Sequence, residues 1–168
     1  MPFTVRPADV EELVAGDPVE VARRNAILKV GAVPGPLVLG VDTLVEVDGE
    51  VLGKPRDAAA ALAMLGRLAG RTHQVHSGLA LRRDGDLRVA VASTGVRFAS
   101  ADADELEAYV ATGEWQGRAG GYAIQGRGAL LVDGISGDYL NVVGLPVAAL
   151  RRAWPELAQD VVRQRVAD

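Results

Sequence analysis

The sequence predicts an α/β fold in which a mixed sheet is flanked by helices, and three observations predict it. An unbroken apolar run, Leu37-Val38-Leu39-Gly40-Val41, has the length and composition of a buried strand. Two Asp-Gly pairs, Asp48-Gly49 and Asp84-Gly85, each sit between strand-like segments, which is the strongest short hairpin signal. Three helix starts, Asp17-Pro18, Pro55-x-Asp57 and Asp102-x-x-Glu105, fall among the strands without alternating with them one for one. That order argues against a strictly alternating parallel sheet.

Asp17 is placed to cap a first helix, with Pro18 at its first turn, where no N–H is needed. Val21, Ala22, Ala26 and Leu28 recur at helical spacing, and Gly31 is the expected stop. Pro34-Gly35-Pro36 breaks the chain before the apolar strand, at whose end Asp42 is expected. Leu44 to Val47 and Glu50 to Leu52 flank the Asp48-Gly49 turn as a hairpin. A second helix is expected over 58–69, with Gly70 beyond it. Strands over 72–81 and 87–98 surround Asp84-Gly85. The Asp102/Glu105 capping box opens a third helix that ends at Gly113. Residues 114–128 read as glycine-rich loop, and Asp133-Gly134 as a turn between Ala129–Val132 and Ile135. A short helix is expected from Pro146 and a C-terminal one over 156–166.

At 168 residues the chain reads as one domain. Apolar residues make up 49% but aromatics only 4%, so the core must be built largely from aliphatic side chains. The absence of cysteine excludes disulfides and thiolate metal sites. A net charge of −4 argues against binding a nucleic-acid polymer, which wants a basic surface. It leaves room for a small phosphorylated ligand, because local charge can oppose net charge. There is no 18-residue apolar run and no apolar stretch at the N-terminus, so neither a membrane helix nor a signal peptide is expected. A cytoplasmic location is the default expectation.

Several residues could carry chemistry. A carboxylate at a strand end facing a crevice, as expected of Asp42, is a common site position in α/β sheets, and equally a common turn aspartate. Gly49 to Lys54 superficially resembles a phosphate loop. It has three residues between its glycines instead of four, and Pro55 follows where Ser or Thr is required. Lys54 is therefore of interest only through its closeness to Asp42 across the hairpin. Asp9, Glu11 and Glu12 form an acidic cluster that is either a solvated loop or part of a hard-cation site. Mg²⁺ commonly takes one or two carboxylates plus substrate phosphates, and Glu12 with Asp42 could supply them. His73 and His76 are three apart in a strand and point to opposite faces, which disfavours a shared metal. Gln125 lies among Gly120, Gly121, Gly126 and Gly128, and its amide has both a donor and an acceptor for the edge of a base. Trp115 and Trp154 belong to no motif.

Seven segments in order, Asp9-Val10-Glu11-Glu12, Gly40-Val41-Asp42-Thr43, Gly53-Lys54-Pro55, Gly70-Arg71-Thr72-His73, Gly113-Glu114, Ala119 to Gly126 and Asn141 to Pro146, resemble the Maf family of nucleoside triphosphate pyrophosphatases. The resemblance covers Pro2 to Leu150. It implies an elongated mixed β-sheet in two lobes with a central cleft, often as a homodimer. It implies cleavage between the α- and β-phosphates, with a divalent cation (Mg²⁺ or Mn²⁺) as cofactor. By resemblance Asp42 falls on a general-base position and Glu12, with Asp42, on the metal site. Lys54 falls on a phosphate-binding lysine, and Thr43 and Gln125 on positions linked to base choice. The Tyr122-x-Ile124-Gln125-Gly126 form looks like the branch acting on dTTP and UTP. Arg118 stands where the family usually has lysine. It keeps the charge but replaces a point charge with a planar fork. Members also carry an N-terminal strand ending in Ser-x-Ser-Pro-Arg-Arg, whereas this sequence opens at Met1-Pro2-Phe3, just past the family's first helix. Either the start is misassigned or the 1–168 domain lacks that strand and loop, and in the second case a sheet edge is expected to be exposed. The rival reading is a truncated, non-catalytic protein that binds nucleotides or acts in division control through a protein partner.

Overall fold

The computed structural model describes residues 3–157 and 159. Helix α1 (Pro18–Ala32) precedes strands β1 (Leu37–Val47) and β2 (Glu50–Leu52). Helix α2 (Ala58–Leu68) leads to the long hairpin β3 (Thr72–Arg83) and β4 (Asp86–Phe98), followed by α3 (Ala103–Ala111). Two 3₁₀ turns, Ala119–Gly121 and Arg127–Leu131, lead into β5 (Val132–Ser136), and α4 (Tyr139–Val143) and α5 (Val147–Ala153) follow. The strands form one sheet in the order β2-β1-β3-β4-β5. The sheet flanked by helices is as expected. All four of its pairings are antiparallel, where the element order suggested a mixed sheet. Two of the joins are tight hairpins, which can only link antiparallel strands.

Local chemistry accounts for most boundaries. Asp17 accepts from the Glu20 N–H, Asp57 from Ala60, and Asp102 and Glu105 close a reciprocal capping box. Both Asp-Gly turns have positive φ at both residues, as a type I′ hairpin turn requires. Three expectations are corrected. Helix α1 runs one residue past Gly31. Asp42 is not at a strand end but in the middle of β1, because Thr43–Val47 continue the same strand to the Asp48-Gly49 turn. Asp133-Gly134 is not a turn: Arg127–Leu131 coil as a 3₁₀ turn, and Val132–Ser136 run through it as one bulged strand paired with β4. Helix α4 was not expected at all. The expected helix over 156–166 falls almost wholly outside the described residues.

Alternation along β1 and β3 assigns two faces. Asp42, Leu44, Gly78, Ala80 and His76 face α1, while Val41, Thr43, Val45, Val47, Val75, Ser77 and Leu79 face the other side. Helix α1 lies almost in contact with the sheet backbone. A Cβ on Gly78 would stand 2.2 Å from the Ala22 carbonyl oxygen. On the opposite face the core divides in two. The larger part packs α2, α3 and the chain around Tyr122 and Ile124 over Val45, Val47, Val75, Val96 and Phe98. The smaller part packs Ala149, Trp154 and Leu157 over Leu79 and Leu81. Between them the sheet floor is open. β2 pairs only with Val45–Val47, and among the described residues no strand lies beside 37–44 on that edge.

The two histidines point to opposite faces, as their spacing requires. His76 Nδ1 lies 2.8 Å from Ser93 Oγ on the α1 side. His73 is buried against Phe98 and Tyr122, with Nε2 2.8 Å from the Tyr122 hydroxyl. Desolvation lowers its pKa from 6.5 to about 4. A depressed pKa means that protonation favours the unfolded chain. The stability contributed by neutral His73 is complete above pH ~6.5 and is lost as pH falls toward 4. The linkage is worth roughly 3 kcal/mol. Urea unfolding at pH 7.5 and 4.5 is expected to show a smaller pH dependence, by about that amount, in His73→Gln than in the native chain. Equal dependence would contradict the assignment.

Candidate active site

The gap between the two parts of the core is a cleft of about 230 Å³. Val41, Thr43, Val45 and Val75 form its floor. One wall is the Gly117–Ala119 segment with Tyr122 and Gln125, and the other is Val142, Val143 and Gly144. Lys29, Asp42 and Lys54 complete the lining where the open edge of β1 lets the cleft reach past the strand. The fold thus brings Asp42, Thr43, Lys54, Arg118 and Gln125 to one cavity. Glu12 does not line it, but is tied to it through Lys29.

The wall loop is held by close contacts. Gly120 has φ +68°, donates its N–H to the Gly53 carbonyl at 3.1 Å, and lies so close to Val45 that a Cβ would stand 2.9 Å from Cγ2. This pins Arg118 beside the β1–β2 hairpin that carries Lys54. Glu114 accepts from the Arg127 N–H at 2.7 Å, and the Tyr109 hydroxyl accepts from the Ala123 N–H at 3.0 Å. These two bonds bracket Gln125, whose side chain stays exposed at the cleft. Opposite, Asn141 donates from Nδ2 to the Val75 carbonyl and to Thr94 Oγ1, fixing α4 to the sheet.

Asp42 is buried and holds one donor on each carboxylate oxygen. Asn25 Nδ2 donates to Oδ2 at 3.0 Å, and Lys29 Nζ to Oδ1 at 2.5 Å. Asn25 and Lys29 are four apart on α1, so they share the helix face turned to β1. Asn25 also exchanges two hydrogen bonds with the backbone of Leu13, which anchors the segment carrying Glu12. Glu12 Oε1 meets the same Lys29 ammonium at 2.8 Å. Burial opposes the charge on Lys29, but its bonds to Asp42 and Glu12 outweigh this and raise its pKa above the lysine norm. The bond from Lys29 holds the Glu12 carboxyl below its ordinary value, against a weaker desolvation effect, with Lys29 and Lys54 charges adding to the lowering. On the floor, Thr43 Oγ1 and Ser77 Oγ are 2.7 Å apart.

Sequence reasoning missed Asn25 and Lys29. Lys29 reads as an ordinary basic residue in the last turn of α1. The available signal was the four-residue spacing of two long polar side chains on a helix otherwise packed by Val21, Ala22, Ala26 and Val30. Ser77 and Glu114, which position neighbours, were also unassigned.

Three cations, Lys29, Lys54 and Arg118, and one carboxylate line the cleft of a chain whose net charge is −4. Fold and site together define an α/β protein whose cleft is lined by more cations than carboxylates. The chain belongs to the Maf family: the family described as Maf-like protein matches residues 1–157. It is 52% identical over 153 residues to the dTTP/UTP pyrophosphatase of Symbiobacterium thermophilum, covering 88% of this chain and 79% of that protein. It is 47% identical over 169 residues to the dTTP/UTP pyrophosphatase of Moorella thermoacetica, covering 96% and 87%. The protein of that name from Thermococcus gammatolerans is 43% identical over 148 residues, covering 86% and 80%. Among the described residues no helix is long and apolar enough to cross a membrane.

Proposed function

We propose that this chain is a nucleoside triphosphate pyrophosphatase that hydrolyses dTTP and UTP to the monophosphate and pyrophosphate. The observation that carries this reading is the cleft itself. It concentrates positive charge around one buried carboxylate, in a family whose relatives bear that activity in their names. Water attacks the α-phosphorus, the bond to the α–β bridging oxygen breaks, and pyrophosphate leaves. Asp42 takes the proton from the water, and Asn25 holds its carboxylate in place. Lys54 and Arg118 compensate the charge that develops on the departing pyrophosphate.

A divalent metal fits this donor set. Glu12 and Asp42 converge on a single cation position, now taken by the Lys29 ammonium. Among the described residues no group of three or more His, Cys, Asp or Glu could hold a metal ion. Two carboxylates completed by substrate phosphates is the arrangement Mg²⁺ commonly adopts. When bound there, the metal would neutralise phosphate charge and polarise the α-phosphorus.

The test is pyrophosphate release over a panel of triphosphates. dTTP and UTP are expected to exceed purine triphosphates in kcat/KM. Nucleotide binding with no release would favour the non-catalytic rival. Gln125, exposed at the cleft, is assigned to reading the base edge. Gln125→Ala is expected to cost roughly 1–3 kcal/mol of discrimination between UTP and GTP, by analogy with side-chain readout of bases. Unchanged kcat/KM for both would remove Gln125 from that role.

A further inference from the structure

We infer that Lys29 is the resident cation of the carboxylate pair, and that a divalent metal and the Lys29 ammonium compete for one position. Lys29 Nζ stands 2.5 Å from Asp42 Oδ1 and 2.8 Å from Glu12 Oε1, the place where one ion would bridge the two acids. The ammonium cannot stay there once a metal enters, since two cations cannot share two carboxylate oxygens at contact distance. Its stem comes from the last turn of α1 and its head already lines the cleft. The displaced ammonium therefore remains beside the bound anion, where it joins Lys54 and Arg118 as a third cation.

The device has a functional consequence. Without a nucleotide, the two acids are neutralised from within and free metal gains little by binding. A metal–triphosphate complex brings both the ion for the acids and the oxygens for the displaced lysine. The site thus takes metal and nucleotide together. This inference rests on the proposed metal site at Glu12 and Asp42, but not on which triphosphate is cleaved.

Its test reads metal binding without nucleotide. Free Mn²⁺ is titrated by electron paramagnetic resonance into the native chain, Lys29→Met, and Lys29→Met combined with Glu12→Gln. If the ammonium holds the acids nine-tenths of the time, its removal tightens Mn²⁺ binding about tenfold. The gain should vanish in the double variant. Equal or weaker Mn²⁺ binding by Lys29→Met would overturn the competition. If that variant is unstable without metal, the readout is its melting temperature. A larger rise on adding Mn²⁺ than the native chain shows supports the inference, and an equal or smaller one overturns it. Because no nucleotide is present, the outcome is independent of the pyrophosphate-release assay.

Discussion

Asp42→Asn is expected to lower kcat by roughly 10²–10⁴-fold, the range for loss of a positioned general base. The fold should survive. Asp42 is near the open edge of β1, and its neighbours Val41 and Thr43 keep their pairing with β3. The amide has one acceptor where the carboxylate has two, yet Asn25 and Lys29 are both donors. One of these contacts must therefore be lost, and Glu12 retains Lys29. The check is steady-state kinetics beside a thermal melt. A folded variant that releases pyrophosphate at the native rate would remove Asp42 from the chemistry.

Gly78→Ala is expected to be the most damaging small substitution in the fold. The new Cβ would stand 2.2 Å from the Ala22 carbonyl oxygen and 2.7 Å from the Arg23 nitrogen. These are backbone atoms of α1 and cannot rotate away. Either α1 lifts off the sheet or β3 bends. The cost should reach about 3 kcal/mol, the upper end of overpacking. For a chain of this size that is a fall of roughly 6–12 °C in Tm. Lifting α1 also withdraws Asn25 and Lys29 from Asp42, so residual folded protein should show weakened turnover. A Tm within 2 °C of native, against a scale of ~2–4 °C per kcal/mol, would mean that α1 leaves room for a side chain at Gly78.

What the sequence revealed and what it hid follow from the range of the interactions involved. The caps at Asp17, Asp57 and Asp102 and the turns at Asp48-Gly49 and Asp84-Gly85 are satisfied within three or four residues, and each was legible. The position of Asp42 was not. Hydropathy drops at Asp42, which reads as a strand end. The donors that let a buried carboxylate sit mid-strand lie 13 and 17 residues earlier, on a helix. The wall loop was legible as glycine-rich, but not as a rigid element. Its order comes from Gly120 against Val45, and from the Glu114 and Tyr109 side chains, which bond the backbone 13 and 14 residues on. Helix α4 was hidden because it is five residues long, too short to show a period. The resemblance collected five cleft-lining residues that spacing alone could not have brought together.

The central claim is that the cleft directs water to the α-phosphorus of a pyrimidine triphosphate. Turnover of UTP in ¹⁸O-labelled water, with products identified by mass spectrometry, tests it most directly. The account predicts UMP carrying one ¹⁸O and unlabelled pyrophosphate. Formation of UDP with inorganic phosphate, ¹⁸O in the pyrophosphate, or binding of UTP with no products would contradict it.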